Sequence, residues 1–145
     1  MIGLIQRVKQ ASVVVDEHCV GSINAGLLLF LGVEKTDSNV QVEKLAKKVL
    51  SYRVFSDDAG KMNLSLKDVG GELLVVSQFT LVAQTNKGNR PGFSEGASPE
   101  HGEAIYNAFI KHVNDHYMQC ASGIFGADMQ VNLLNDGPVT FHFKV

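Results

Sequence analysis

The sequence predicts a single α/β domain over residues 1–145, with mixed β-sheets in barrel-like packing and two principal helices. Three observations predict it. At 145 residues with 45% hydrophobic content, the chain has the size of one domain that buries its own core. Strand-like alternation of apolar and polar residues fills both ends of the chain. Two segments between those ends carry apolar residues at helical spacing instead.

From Ile2 to Val33 the pattern is β-rich, with Val13 and Val15 alternating against Ser12, Val14 and Asp16, and a glycine-punctuated turn around Gly21 to Gly26. Leu27-Leu28-Leu29-Phe30-Leu31 is apolar on both faces, which predicts a central strand covered on both sides. The first helix is predicted over about Ser38 to Ser51, with Val42, Leu45, Ala46, Val49 and Leu50 in one stripe and Glu43, Lys44, Lys47 and Lys48 opposite. After it come Arg53-Val54-Phe55, a turn at Asp57-Asp58-Ala59-Gly60, and a strand Glu72 to Gln78 introduced by Gly70-Gly71. A polar, glycine-punctuated stretch, Val82 to Ala97, carrying Lys87 and Arg90, reads as a long loop that either makes a functional contact, such as one to a phosphate backbone, or is plain surface. The second helix has Ser98 as N-cap and Pro99 at its first position, and runs to about Tyr117 with Ile105, Ala108, Phe109 and Val113 inward. Two strands close the chain, one through Met129, Val131 and Leu133 and one through Val139, Phe141, Phe143 and Val145, with Gly137-Pro138 between them. No repeat, linker or low-complexity tract interrupts this order.

Composition narrows the function classes. A formal net charge of -2 with 19% charged residues suggests neither disorder nor a polyanion-binding surface, so any RNA contact must use a local basic patch. Lys44, Lys47, Lys48, Lys87 and Arg90 are the electrostatic candidates. Cys19 and Cys120 lack C-x-x-C spacing and no secretory leader pattern opens the chain, which favours a reducing cytoplasm. The longest apolar run, Gly26 to Val33, is far short of the roughly 20 residues of a membrane span, so no membrane association is expected.

Several motifs imitate chemistry without its context. Gly92-Phe93-Ser94-Glu95-Gly96 spells the G-x-S-x-G elbow of serine hydrolases, and Asp128 or Asp136 with His142 would complete a triad. An elbow needs a buried strand before its serine, and Thr85 to Pro91 cannot form one. His112 and His116 share a helix face, but no further ligands complete a zinc set, and no metal is expected. Gly70-Gly71 precedes a strand and does not open a helix, so it is not a phosphate loop, and no cofactor is implied.

Two features stand out. Ser77-Gln78-Phe79-Thr80 places hydroxyls and an amide where the apolar strand Leu73-Leu74-Val75-Val76 would otherwise continue. Gly137-Pro138 interrupts a strand pattern with a residue that cannot donate to a ladder and whose peptide bond can be cis. On residue chemistry alone these read as a strand end and a turn.

Together with Leu4-Ile5-Gln6-Arg7-Val8, Tyr52 to Asp57, Lys61 to Leu64, Gly96-Ala97-Ser98-Pro99 and Asp128 to Val131, the two features make the chain resemble the bacterial D-aminoacyl-tRNA deacylases over nearly its whole length. The resemblance implies a cytoplasmic homodimer with active sites at the subunit interface. D-aminoacyl-tRNA is the implied substrate, along with glycine misattached to alanine tRNA. Ser77, Gln78, Phe79 and Thr80 would hold the ester, with Thr80 either attacking it or only positioning water or the ribose 2′-hydroxyl. Gly137 and Pro138 would act in trans to exclude L-amino acids, Arg7 would support their loop, and Phe125 and Met129 would line the pocket. The chain departs from the family pattern at Gly92, where serine is usual, at Gly126, where alanine is usual, and at His142-Phe143. Two other classes compete on the same residues: a small serine esterase using Ser94, and a non-catalytic RNA-binding module.

Overall fold

The structure, a computed structural model, describes residues 1–86 and 88–145. Lys87, one of the electrostatic candidates, lies outside them. Strand β1 (Ile2–Val15) is the spine of the main sheet. Strand β8 (Gln130–Lys144) runs antiparallel along one edge of it. The other edge is shared by β3 (Gly26–Gly32), opposite Ile2 to Val8, and β2 (His18–Ile23), opposite Ala11 to Val15. Beyond β3 come β6 (Glu72–Ser77) and the short β7 (Ala121–Ser122), both in parallel pairings. The sheet curls until β2 meets β7: a Cβ on Gly21 would stand 2.7 Å from the Ser122 carbonyl. This makes it a nearly closed, barrel-like sheet. A separate two-stranded ribbon, β4 (Phe55–Ser56) with β5 (Met62–Leu64), precedes β6.

Alternation on β3 explains why both faces had to be apolar. Leu27, Leu29 and Leu31 face one core with Val42, Leu45, Val49, Ile105, Phe109 and Val113, while Leu28 faces a second with Val8, Val13, Ile23, Leu74 and Val76. The first core lies under the helices and the second fills the inside of the curled sheet. Helix α1 (Asn39–Ser51) starts at Ser38, whose hydroxyl accepts from the Val40 N–H at 3.3 Å while the Gln41 side chain accepts from the Ser38 N–H at 3.0 Å. Helix α3 (Pro99–His116) starts at Ser98, whose hydroxyl accepts from the His101 N–H at 3.3 Å. Both helices fall where the apolar stripes and caps predict them.

Two elements differ from the sequence reading. A short helix, α2 (Leu66–Val69), is too brief to show a stripe; only its Ser65–Asp68 capping box and the left-handed Gly70 mark it. At Gly137-Pro138 the chain does not turn between two strands. β8 is continuous, because β1 is long enough to pair with both of its halves. Five residue steps on β8, from Asn135 to Thr140, lie opposite two on β1, from Gln6 to Val8, so the intervening residues bulge out of the ladder.

Among the described residues no helix is long and apolar enough to cross a membrane. Cys19 is exposed, whereas burial pushes the thiol of half-buried Cys120 up to about 11. Because only the thiolate attacks, an alkylating reagent at pH 8 is expected to label Cys19 more than about tenfold faster than Cys120. A mass-spectrometric time course checks this.

Candidate active site

β6 stays buried through Val76, and Ser77 is its half-buried last residue. The Gln78 N–H donates to the Leu31 carbonyl at 2.8 Å, a last rung to β3, and the chain then leaves the sheet as a 3₁₀ turn, Phe79–Val82. The motif Ser77 to Thr80 therefore sits at the carboxyl ends of two parallel strands, where the side-chain and backbone groups of α/β proteins commonly meet ligands.

A second wall is tied in from across the loop. Lys35 N–H donates to the Glu95 carbonyl at 3.2 Å, Ala97 N–H to the Val33 carbonyl at 3.1 Å, and Lys35 Nζ to the Ser94 carbonyl at 2.9 Å. These contacts hold Phe93 to Ser98 beside the end of β3. The first turn of α3 and the Phe125-Gly126 segment complete the enclosure. Between them lies a cavity of about 330 Å³, lined by Ser77, Gln78, Phe79, Phe93, Gly102 and Phe125 among others; among the described residues no ionisable side chain lines it. Its volume suits one small group of a larger ligand. Phe79 is 66% exposed and Phe93 43% exposed, with ring centroids 5.2 Å apart, so this pair forms the mouth and not the floor.

Thr80 is exposed beside the mouth and does not line the cavity. Its hydroxyl oxygen accepts from Gln78 Nε2 at 2.5 Å, so its own proton is free to be donated elsewhere. Phe125 lines the cavity, but Met129 does not: its sulfur would stand 2.6 Å from a Cβ on Gly123, and it packs against the second core. Met129 thus backs the segment that carries Phe125. Tyr106 of α3 also holds that segment, through hydroxyl contacts of 2.9 Å to the Val75 carbonyl and 3.1 Å to the Gly123 carbonyl. Burial pushes this phenol well above its usual range, so it stays a donor at neutral pH.

Gly137 and Pro138 are exposed and are absent from the cavity lining. The Gly137–Pro138 peptide is cis, and Gly137 has φ +134°. Arg7 reaches under the bulge from β1: its Nε donates to the Asp136 carbonyl at 3.0 Å and its Nη1 to the Val54 carbonyl at 2.6 Å, with the Asp136 carboxylate 3.4 Å away. The structure thus brings Ser77, Gln78, Phe79 and Phe125 to one cavity and Arg7, Gly137 and Pro138 to one bulge, and it does not join the two groups within the chain.

The decoys fall elsewhere. Ser94 lies in an exposed turn between two isolated bridges, and among the described residues no histidine or carboxylate hydrogen-bonds its hydroxyl. His142 is exposed on β8 opposite Leu4. His112 and His116 stack at 4.5 Å on α3, with His116 Nδ1 3.0 Å from the His112 carbonyl. Lys44, Lys47 and Lys48 are exposed on α1, and Arg90 is exposed in the loop closed by the Gln84–Gly92 bridge. Sequence reasoning missed Phe93 and Gly102 as cavity residues. The available signals were an aromatic in a polar loop and a glycine inside a helical stripe.

Comparison with known proteins first defines the class. A solved structure described as c-Myc DNA Unwinding Element Binding Protein is 38% identical and superposes with a TM-score of 0.95, covering 100% of this chain and 99% of its own. A probable eukaryotic D-amino acid tRNA deacylase, 16% identical, gives 0.85 over 99% and 98%, a likeness that shows the fold alone. The fold is that of the deacylases. The family model for D-Tyr-tRNA(Tyr) deacylase matches residues 4–144, and the chain belongs to that family. It is 62% identical to a D-aminoacyl-tRNA deacylase of Alteromonas mediterranea and 63% identical to one of Pseudoalteromonas atlantica, each over 100% of both chains. Membership makes the chain an enzyme, a hydrolase.

Proposed function

We propose that the chain hydrolyses the ester joining a D-amino acid to the terminal ribose of tRNA, accepts glycine misattached to alanine tRNA, and rejects L-aminoacyl-tRNA. It does so in the cytoplasm as a homodimer in which Gly137 and Pro138 of one protomer reach the cavity of the other. One observation carries the cross-subunit part: the bulge is braced and exposed, yet lies outside the cavity of its own chain. The outer edge of β8 supports it, since among the described residues β8 pairs only with β1 and leaves Leu133 and Leu134 exposed.

The chemistry follows from what stands at the cavity mouth and on the bulge. The first N–H groups of a helical turn lack partners within it, so those of Phe79 and Thr80 are suited to a carbonyl oxygen that gains negative charge during ester cleavage. An aminoacyl ester is already activated and needs no strong protein nucleophile. Thr80, held by Gln78, hydrogen-bonds to and positions the ribose 2′-hydroxyl or the attacking water, with no proton transferred from its own hydroxyl. The Gly137 and Pro138 carbonyls hold the substrate's α-amino group, so that a D side chain points outward, an L side chain meets protein, and glycine passes. Rejection of this kind works by a wall and not by a better pocket.

Two substitutions test this division of roles. Ser94→Ala is expected to leave D-aminoacyl-tRNA hydrolysis within about twofold, and Thr80→Ala to lower it by less than about hundredfold, the scale of a lost catalytic group. A larger loss from Ser94→Ala would make the chain a serine esterase. The same loss from Thr80→Ala, with tRNA binding intact, would make Thr80 the nucleophile.

A further inference from the structure

Phe125 is an aromatic wall of the cavity, and its position is set by Gly102, which lines the cavity beside it, and by Tyr106, which is not among the lining residues. A Cβ on Gly102 would stand 3.2 Å from Phe125 Cζ and 3.6 Å from Cε2, so the ring fills the space that this glycine leaves open. Gly102 is buried inside α3 and does not have positive φ, so its backbone gives no reason for glycine. Helix propensity favours alanine at such a position, which leaves the Phe125 ring as the reason for the missing side chain. One turn further along α3, the Tyr106 ring lies 5.9 Å from the Phe125 ring. Its hydroxyl bridges the carbonyls of Val75 on β6 and Gly123, and the Gly123 N–H donates to the same Val75 carbonyl at 2.9 Å. These bonds fix where the segment that carries Phe125 leaves the sheet.

We propose that Gly102 and Tyr106 are positioning residues that set how far Phe125 projects into the cavity and so how the aminoacyl-adenosine end of the substrate fits. This rests on the deacylase reading above. A methyl group at position 102 pushes the ring into the cavity, because the helix backbone behind it is packed on the first core and gives way less readily than an aromatic ring at a cavity face. Loss of the Tyr106 hydroxyl frees the segment instead and lets the ring wander.

The test compares Gly102→Ala in the wild-type background and in Phe125→Leu, using the full chain and D-tyrosyl-tRNA, with melting temperature followed in parallel. In the wild-type background KM is expected to rise about tenfold with kcat within about twofold, and the melting temperature to stay level or rise. In the Phe125→Leu background the same substitution is expected to change KM by less than about twofold, since the ring it displaces is gone. Tyr106→Phe is the second variant, with a similar KM rise expected. Equal KM factors for Gly102→Ala in both backgrounds would overturn the proposal, as would an unchanged KM in a folded protein. If the wild type itself leaves the D-ester intact, the functional reading has failed. A crystal structure of the Gly102→Ala protein then decides the positional claim: a Phe125 ring moved by about 1 Å or more toward the cavity upholds it, and a ring left in place overturns it.

Discussion

Gly137→Ala is expected to lower D-aminoacyl-tRNA hydrolysis at least about hundredfold while leaving the protein folded, because a displacement near 1 Å at a reacting centre is enough for such a loss. Gly137 has φ +134°, a conformation that L side chains rarely adopt. A Cβ there would stand 2.7 Å from Val139 Cγ2 and 3.0 Å from Arg7 Nη2. Neither neighbour can give easily. Val139 is buried in the first core, and Arg7 is held by the carbonyls of Asp136 and Val54. The bulge must therefore shift, and with it the carbonyls proposed to hold the α-amino group. Single-turnover deacylation kinetics, with circular dichroism as the folding control, measure the effect. Near-normal kinetics would show that the bulge takes no part in the reaction.

Gly26→Ala is expected to give the largest loss of stability, about 3 kcal/mol or more, the range seen when a buried site is overfilled without room to relax. Gly26 opens β3 and lies opposite Glu72 in the parallel pairing with β6. A Cβ there would stand 1.9 Å from the Glu72 carbonyl oxygen and 2.7 Å from the Glu72 N and C atoms. All of these are backbone atoms, so the two strands must part. Their ends are also tied by the Glu72 N–H to the Ala25 carbonyl at 3.1 Å and by the Asn24 N–H to the Glu72 carboxylate at 2.6 Å. Gly92→Ala is the control. Among the described residues its Cβ would meet nothing closer than Gln84 Cβ at 3.7 Å, so its urea midpoint should stay at the wild-type value while that of Gly26→Ala falls sharply.

The same comparison bears on the three positions where the resemblance implies other residues. Position 92 has room for a side chain, so glycine there is not demanded by packing. Gly126 differs: it has open space around it but φ +75°, so alanine would be strained by the backbone alone. At the third of them His142 faces solvent, and Phe143 is buried with its ring 4.8 Å from that of Tyr52.

Much of the fold was legible because local signals and tertiary packing agree. The stripe Val42-Leu45-Ala46-Val49-Leu50 is buried as its spacing requires, and the two-faced Leu27 to Leu31 separates two cores. The hairpin turn at Asp16 and Glu17 was not legible, since both residues take positive φ, 47° and 64°, without a glycine to mark it. The bulge in β8 was hidden for another reason. Gly137-Pro138 has the composition of a turn, and the length of β1, the Arg7 brace and the Val139 N–H bond to Asn135 Oδ1 at 2.9 Å carry the strand across it. The cavity was the least legible part, because Ser77, Phe93, Gly102 and Phe125 are distant in sequence and their patterns mark elements, not mutual contact. Resemblance supplied the roles of Ser77 to Thr80 and Gly137-Pro138, and the geometry adds that one chain keeps the two groups apart.

Paired incubation of the purified protein with D-tyrosyl-tRNA and L-tyrosyl-tRNA tests the central claim most directly. The D-ester should be lost at least about hundredfold faster than the L-ester, a ratio that steric rejection by a rigid wall can sustain. Equal loss of both esters, or loss of neither with tRNA still bound, would contradict it.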